Sequence, residues 1–151
     1  MKISTKGRYA LRMMLELALH YPDHCVSVKE IAQRQQISGK YLEQIITQLN
    51  RAGFVQSIRG SQGGYRLIKE PSQYTVGSIL RVVEGNLAPV ACLENEENNC
   101  ERKSRCVTVE VWEQVHQAVC QVVDHISLAD LVRRYHEKKS GGMQINQIEM
   151  H

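Results

Sequence analysis

The chain has 151 residues, of which 42% are hydrophobic and 5% aromatic, and its formal net charge at pH 7 is +3. This length and apolar content suit one domain with an appendage and exclude a globally disordered chain. The N-terminal sequence has no long apolar run, and no stretch reaches the roughly 20 apolar residues that cross a bilayer. We therefore expect no signal peptide, no membrane span and a cytoplasmic location.

The first quarter of the chain predicts two helices. Apolar residues recur near the helical period over residues 5–21, with Thr5 as the N-cap and Pro22 as the terminator. Ser27 and Glu30 then form a capping-box pattern, in which each side chain satisfies the backbone amide of the other residue. A second, shorter helix is therefore expected to begin there.

A third helix and a β-hairpin follow. Residues 38–52 carry a Leu/Ile stripe at helical spacing, and Gly53 stands where a left-handed C-cap is expected. The segments 54–58 and 65–68 alternate as strands do, and the residues between them are basic and glycine-rich. This pattern predicts a hairpin with a Gly-rich, basic tip.

The remaining chain predicts three more helices separated by a polar loop. Residues 76–84 form a capped apolar segment, and residues 86–106 are rich in Asn and Glu and hold three cysteines. Apolar residues then recur at helical spacing over residues 108–124. A last helix is predicted over residues 128–135, followed by a disordered polar tail over residues 137–151. The fold class is mainly α with a small β-hairpin.

Helix two, the tight turn and helix three predict a helix-turn-helix, and the hairpin after it predicts a wing. The charge agrees, because residues 1–60 hold nine Lys/Arg against four Asp/Glu, whereas residues 107–151 hold four against six. Protein-interaction modules use similar elements, but their order here favours double-stranded DNA as the partner. The predicted contacts lie around the start of helix one (Lys2, Lys6, Arg8), in helix three (Ser38, Gly39, Lys40, Tyr41, Glu43, Gln44, Thr47, Gln48) and at the wing tip (Arg59, Gly60, Ser61).

The loop cysteines predict a metal or redox site. Cys92, Cys100 and Cys106 lie in one short loop of a protein expected in a reducing compartment, where clustered thiols favour metal or redox chemistry over structural disulfides. Their wide spacing and the lack of a fourth Cys or His in the loop favour an iron–sulfur cluster over zinc or a thiol redox switch. Cys25 has no assigned role, and Cys120 is predicted to pack in the core.

An enzymatic alternative, a thiol oxidoreductase, has little support. The chain contains no C-x-x-C motif, and no constellation of a general acid and a general base is apparent. We therefore expect a regulator and not an enzyme.

The chain resembles the IscR/NsrR/CymR family of bacterial winged-helix regulators over about residues 1–136. The resemblance is carried by KISTKGRYAL, ISGKYLEQIITQL, VQSIRGSQGGYRL, TVGSILRVVEG and HISLADLV. It implies a homodimer formed by the long helix of residues 108–124, and hence a roughly palindromic operator. It divides the chain into a DNA-binding domain (1–85), a sensor loop (86–106), a dimerisation and terminal helix (107–136) and a tail (137–151).

The resemblance also implies ligands for a cluster, either 2Fe-2S or 4Fe-4S. The three loop cysteines match those that hold the cluster in the iron–sulfur members, whereas other members lack the loop and act through partner proteins. One branch has a His three residues after the last cysteine, where this chain has Val109. Another can borrow a carboxylate from the start of helix one of the partner subunit, where this chain has Arg8. The fourth ligand is therefore unassigned, with Glu110 or an exogenous small ligand as candidates.

Overall fold

The structure is a computed structural model that describes residues 2–149, with side chains described for residues 2–141. Six α-helices and one antiparallel hairpin make up the fold, and the described part contains no helix of the length and apolarity needed to cross a membrane. In chain order the elements are α1 (Thr5–His20), α2 (Val28–Gln35), α3 (Gly39–Arg51), β1 (Val55–Ile58), β2 (Gly64–Leu67), a 3-10 turn (Pro71–Gln73), α4 (Val76–Glu84), a second 3-10 turn (Ala91–Leu93), α5 (Val109–Val123) and α6 (Leu128–Glu149).

Side-chain caps fix where the helices begin. Ser27 and Glu30 form the predicted capping box at the start of α2. At α1 the predicted N-cap was wrong by one residue: Ser4, in extended conformation, accepts the backbone N–H of Gly7 through its hydroxyl. Thr5 instead lies inside the helix and accepts a hydrogen bond from Arg8. Either residue type can cap, and the backbone conformation decides between neighbours.

The core lies between α1, α3, α4 and the hairpin. The α3 stripe (Leu42, Ile45, Ile46 and Leu49) is fully buried, as its spacing predicted. The turn between α2 and α3 places Gln36 in the left-handed region, with φ 55°. This conformation reverses the chain within two residues, so α2 and α3 pack as a helix-turn-helix.

The hairpin is held to the body of the domain at both ends. Val55 pairs with Leu67 and both are buried, so one face of the wing joins the core. At the base, the Tyr74 hydroxyl donates to the Phe54 carbonyl at 2.7 Å. Near the tip, backbone hydrogen bonds of 2.8 and 2.9 Å join Tyr65 to Val26 in the α1–α2 loop. The wing is thus a fixed part of the domain.

The two C-terminal helices differ in how they are buried. In α5 only Val109 is buried, whereas Leu128 at the start of α6 is fully buried in the core and α6 packs against α1. The α6 helix continues to Glu149, where we predicted an end near Tyr135 and a disordered tail. Glu and Lys at positions 137–139 are strong helix formers, which the prediction underweighted against the nearby glycines. The last two residues of that tail lie outside the described residues.

Candidate nucleic-acid interface and cysteine loop

The solvent-facing side of α3 presents most of the predicted base-reading residues. Lys40, Glu43, Gln44 and Thr47 are all exposed, on the side opposite the buried stripe. The Thr47 hydroxyl donates to the Glu43 carbonyl at 2.7 Å, so its methyl group is the part left for contact with a thymine methyl. A mixed set of amide, carboxylate, methyl and ammonium groups on one helix face can distinguish base edges in a major groove.

Gln48 differs from this expectation. Its side chain is half-buried, and its Oε1 atom is buried without a hydrogen-bond partner among the described residues. A bidentate contact with adenine needs both the oxygen and the nitrogen at the surface. Gln48 therefore lies at the boundary between the core and the reading face, and the structure does not support its predicted place beside Gln44.

The N-terminus of α3 and the wing tip provide the remaining predicted contacts. Ser38 is exposed, whereas Gly39 and Tyr41 are half-buried. At the wing tip Arg59, Gly60 and Ser61 are exposed, and Gly60 has φ +115°, which an L side chain rarely adopts. These positions combine free amides, hydroxyls and one guanidinium, which are groups that bind phosphates and narrow minor grooves.

The start of α1 adds a basic stripe beside α3. Lys2 and Arg8 are exposed and Lys6 is half-buried. Next to Arg8, the Tyr9 ring makes an edge contact with the ring of Tyr41, with 5.8 Å between their centroids. This contact places the start of α1 beside the N-terminal turn of α3.

Arg12 was not predicted from the sequence. It is exposed one turn after Arg8, its guanidinium lies 5.7 Å from the centroid of the Tyr9 ring, and its Nε donates to Gln35 at 2.7 Å. The i, i+4 spacing from Arg8 is a signal that would have found it. Arg12 therefore belongs with the candidate phosphate contacts.

A buried carboxylate braces the helix-turn-helix behind this face. Glu16 of α1 is only 9% exposed and accepts from Arg34 at 3.2 Å and from Gln35 at 2.9 Å. Because both donors lie in the last turn of α2, they fix the angle between α1 and α2. A buried charge without partners would be costly, and these two donors offset that cost.

The cysteine loop is irregular between α4 and α5 apart from one short 3-10 turn. Cys92 lies in that turn and is half-buried, Cys100 is exposed, and Cys106 is half-buried just before α5. Among the side chains that the structure describes, residues 2–141, no three His, Cys, Asp or Glu come together as a metal site. The three thiols are thus present on one loop but are not gathered.

The sulfur of Cys106 lies beside a hydroxyl group and backbone N–H groups at the start of α5. Its pKa is lowered, chiefly by the Thr108 hydroxyl 3.3 Å from its Sγ, with the backbone N–H of Val109 and the charge of Arg102 adding to the effect. A lowered pKa favours the thiolate, the form that binds metals. The Val109 side chain itself is buried, at 7% exposure.

Cys120 does not occupy the core position that we predicted. It is half-buried on α5, with its Sγ 3.5 Å from Arg81 Nη2 and 3.8 Å from His116 Nε2. Its neighbours are therefore polar groups at the junction of α4 and α5. The apolar periodicity of α5 did not distinguish this face from the apolar one.

The sequence matches the Rrf2 family, described as iron-dependent transcriptional regulators, over residues 3–134. The chain is similar to the transcriptional regulator CymR of Bacillus subtilis, with 46% identity over 131 residues that cover 87% of this chain and 89% of CymR. The solved structure of CymR, described as the global cysteine regulator of B. subtilis, aligns with a TM-score of 0.74 over 89% of this chain and 98% of that one.

A second solved structure, IscR from T. potens, aligns with a TM-score of 0.75 at 42% identity, over 91% of this chain and 90% of that one. The predicted fold class, mainly α with a small hairpin in a winged helix-turn-helix, is thereby confirmed. The family resemblance seen in the sequence is confirmed as well. The chain belongs to the Rrf2 family and is a transcriptional regulator of the CymR and IscR type.

Proposed function

We propose that this regulator binds its operator as a homodimer and that an iron–sulfur cluster held by Cys92, Cys100 and Cys106 gates the binding. The observation that carries the proposal is the placement of three thiols in the one irregular segment that joins α4 of the winged domain to α5. A change in the conformation of that segment therefore acts on both α4 and α5. The coupling needs only about 1–3 kcal/mol, a factor of roughly 5–150 in operator affinity.

The proposed DNA interface consists of the exposed side of α3, the wing tip and the start of α1. In this interface the α3 side chains read bases in the major groove, and Arg59 enters the adjacent minor groove. Lys2, Lys6, Arg8 and Arg12 contact phosphates, which set the register without reading sequence. Two observations support these contacts: Lys2, Arg8 and Arg12 are exposed and Lys6 is half-buried beside them, and the first 60 residues carry nine Lys/Arg against four Asp/Glu.

The proposed dimer forms through α5. Three large side chains on α5 are exposed: Val111 at 51%, Trp112 at 41% and Val122 at 58%. Val122 also lines an apolar groove of about 510 Å³ whose walls include Ile3, Leu80 and other α5 residues. A second copy of α5 packed antiparallel in this groove removes the apolar face from water, and its two-fold axis favours a roughly palindromic operator.

The donor set suits an iron–sulfur cluster, although the loop of the described structure does not gather it. Three thiols on an irregular loop are soft ligands with the freedom to converge, and a 2Fe-2S or 4Fe-4S cluster needs one further ligand from elsewhere. Such a cluster would form when iron is supplied and would be lost on iron starvation or on exposure to oxidants or nitric oxide. The protein's own part is to order residues 92–106 and thereby to bias how α4 and α5 sit together.

A cluster-free mechanism is the second candidate. Two observations favour it: the described residues do not gather the three thiols, and CymR, a relative with 46% identity, is described as a cysteine regulator. In that case the loop acts through a partner protein or through thiol oxidation. Metal content separates the two mechanisms.

The deciding experiment is anaerobic reconstitution with iron and sulfide. We expect visible charge-transfer absorption and stoichiometric iron in the parent, a loss of both in Cys92→Ala, and no loss in Cys25→Ala, whose half-buried thiol lies outside the loop. Operator affinity is then measured with and without the cluster. If Cys92→Ala binds iron and sulfide as well as the parent does, the cluster assignment is wrong.

A further inference from the structure

Glu84, the last residue of α4, is bonded to the start of α1. Its Oε1 accepts the backbone N–H of Ser4 at 2.9 Å and the Ser4 hydroxyl at 2.6 Å. The same hydroxyl accepts the backbone N–H of Gly7 at 3.1 Å, so it caps α1 while it donates to Glu84. One carboxylate thus fixes both the N-cap and the chain direction entering α1.

Gly7 makes room for this carboxylate. Gly7 is buried, and a Cβ atom at this position would overlap the Glu84 carboxylate and press on Ile3. The glycine lies inside a helix, where alanine would be the more stabilising residue. The close approach of Glu84 accounts for a glycine at this position. We call Ser4, Gly7 and Glu84 the N-terminal latch.

The N-terminal latch adjoins the start of the cysteine loop. Gly85, with φ +89°, turns the chain directly after Glu84, and Leu87 is 6% exposed beneath it. Lys2 and Ile3 share a cavity of about 80 Å³ with residues 86–88 and with Val119 of α5. The segment before α1 and the beginning of the cysteine loop therefore lie on the same cavity.

The same segment carries cations of the proposed interface. Lys2 precedes Ser4 by two residues, and Lys6 and Arg8 lie in the first turn of the helix that Ser4 caps. Long cationic side chains lose entropy when they are held against phosphates, so a fixed backbone beneath them improves binding. The latch sets that backbone.

We infer that Glu84 is a positioning residue for DNA binding, which holds residues 2–8 against the phosphate backbone and links them to the cysteine loop. The positioning role rests on the proposed DNA interface, and the link to the loop rests on the proposed gating. A shift of the chain at residues 85–88 moves Glu84, and with it the capped start of α1. In this proposal the Glu84 carboxylate alone couples the conformation of the cysteine loop to the DNA-contacting residues.

The test compares Glu84→Ala with the parent in operator binding across salt concentrations, using cluster-free protein. Each phosphate contact contributes about 0.9 to the slope of log K against log salt. We expect Glu84→Ala to flatten that slope by about one to three per subunit and to weaken binding at least tenfold at low salt. Glu84→Gln keeps an oxygen acceptor for the Ser4 amide and should restore most of the slope.

Asp130→Ala is the matched control. Asp130 accepts the backbone N–H of Ser127 at 2.9 Å at the start of α6. It thus performs a comparable capping role beside Thr75, at the opposite end of α4 from Glu84. A variant that merely lowers the folded fraction shifts affinity at all salt concentrations and leaves the slope unchanged. If Glu84→Ala keeps the parental slope, the positioning role is overturned.

The link to the loop has its own measurement. The ratio of operator affinities with and without the cluster should fall toward one in Glu84→Ala, at unchanged iron per chain. If the parent binds iron but this ratio is unaltered by Glu84→Ala, the link is overturned while the gating proposal stands. If the parent binds no iron, the cluster proposal fails and the salt slope still decides the positioning role.

Discussion

Arg59 places a guanidinium at the tip of a wing that is pinned at its base by Tyr74 and near its tip by Val26. The neighbouring geometry depends on glycine: Gly64 lies against the Val26 backbone, where a Cβ would approach within 2.6 Å. A guanidinium on a fixed hairpin loses little entropy when it enters a minor groove. We therefore expect Arg59 to contribute measurably to affinity.

The prediction is that Arg59→Ala weakens operator binding by about 1–3 kcal/mol and lowers discrimination at bases beside the wing. Fluorescence anisotropy at fixed salt measures the affinity. Arg134→Ala, which removes the same exposed side chain from α6, is the control for net charge. Equal affinities for Arg59→Ala and the parent would place the wing away from DNA.

At the residue scale, sequence patterns predict caps and buried stripes well and fail at near-equivalent neighbours. The α3 stripe and the Ser27–Glu30 box follow from spacing alone. The choice of Ser4 over Thr5 and the inward turn of Gln48 depend on the backbone conformation and on packing against other elements. Partners 80 residues apart, such as Ser4 and Glu84, leave no local signal.

At the element scale, the junction of α4 and α5 rests on an ion pair. Arg81 donates to Asp124 at 2.5 and 3.0 Å in a two-point arrangement. Gly77 lets the two helices approach, because a Cβ there would overlap the Asp124 carboxylate. Hydrogen bonding from Arg81 lowers the pKa of Asp124, so the junction favours the ionised carboxylate.

The sign of the pH dependence follows from that lowered pKa. The Asp124 pair stabilises the fold fully above the ordinary value of 3.8 and ceases to do so as the pH falls through the lowered value. We expect Asp124→Asn to reduce the free energy of unfolding by about 1 kcal/mol at pH 7, a modest figure because both side chains are partly exposed. The difference between parent and variant should shrink below about pH 4.

Denaturant titrations of the parent and Asp124→Asn at several pH values measure this difference. Asp23→Asn, which changes an exposed carboxylate in the α1–α2 loop, serves as the control and should have little effect at any pH. A loss that is constant down to pH 3 would show that Asp124 acts through packing and not through its charge.

The C-terminal elements show where periodicity is insufficient. The pattern of α5 predicted a helix, and the structure contains one over Val109–Val123. The same pattern did not reveal that Cys120 faces Arg81 or that α6 returns to pack on α1. Those outcomes depend on which elements meet in three dimensions, and one helix alone carries no information on its partner.

At the scale of the whole molecule, the balance of charged residues differs between the two ends of the chain. The first 60 residues carry five more basic than acidic residues, whereas residues 107–151 carry two more acidic than basic ones. The cysteine loop lies between these parts, so a change in its state reaches both. In the proposed dimer the C-terminal half of the chain fixes the spacing of the two winged domains, which is the role proposed for α5.

The last prediction tests that role of α5. Val122 is 58% exposed on the apolar face of α5 and lines the apolar groove, so a carboxylate there would be buried and unpaired in the proposed dimer. We expect Val122→Glu to be monomeric at micromolar concentration and to lose operator affinity by a factor of about 10² or more, because the second half-site no longer adds its binding energy. Gln117→Glu is the matched control, since it adds the same charge at an exposed position on the other side of α5. Sedimentation velocity and anisotropy on full-site and half-site DNA separate the outcomes. A Val122→Glu protein that sediments as a dimer would assign the apolar face of α5 to another partner, whereas a monomer that keeps half-site affinity would show that the reading head folds and binds without its copy.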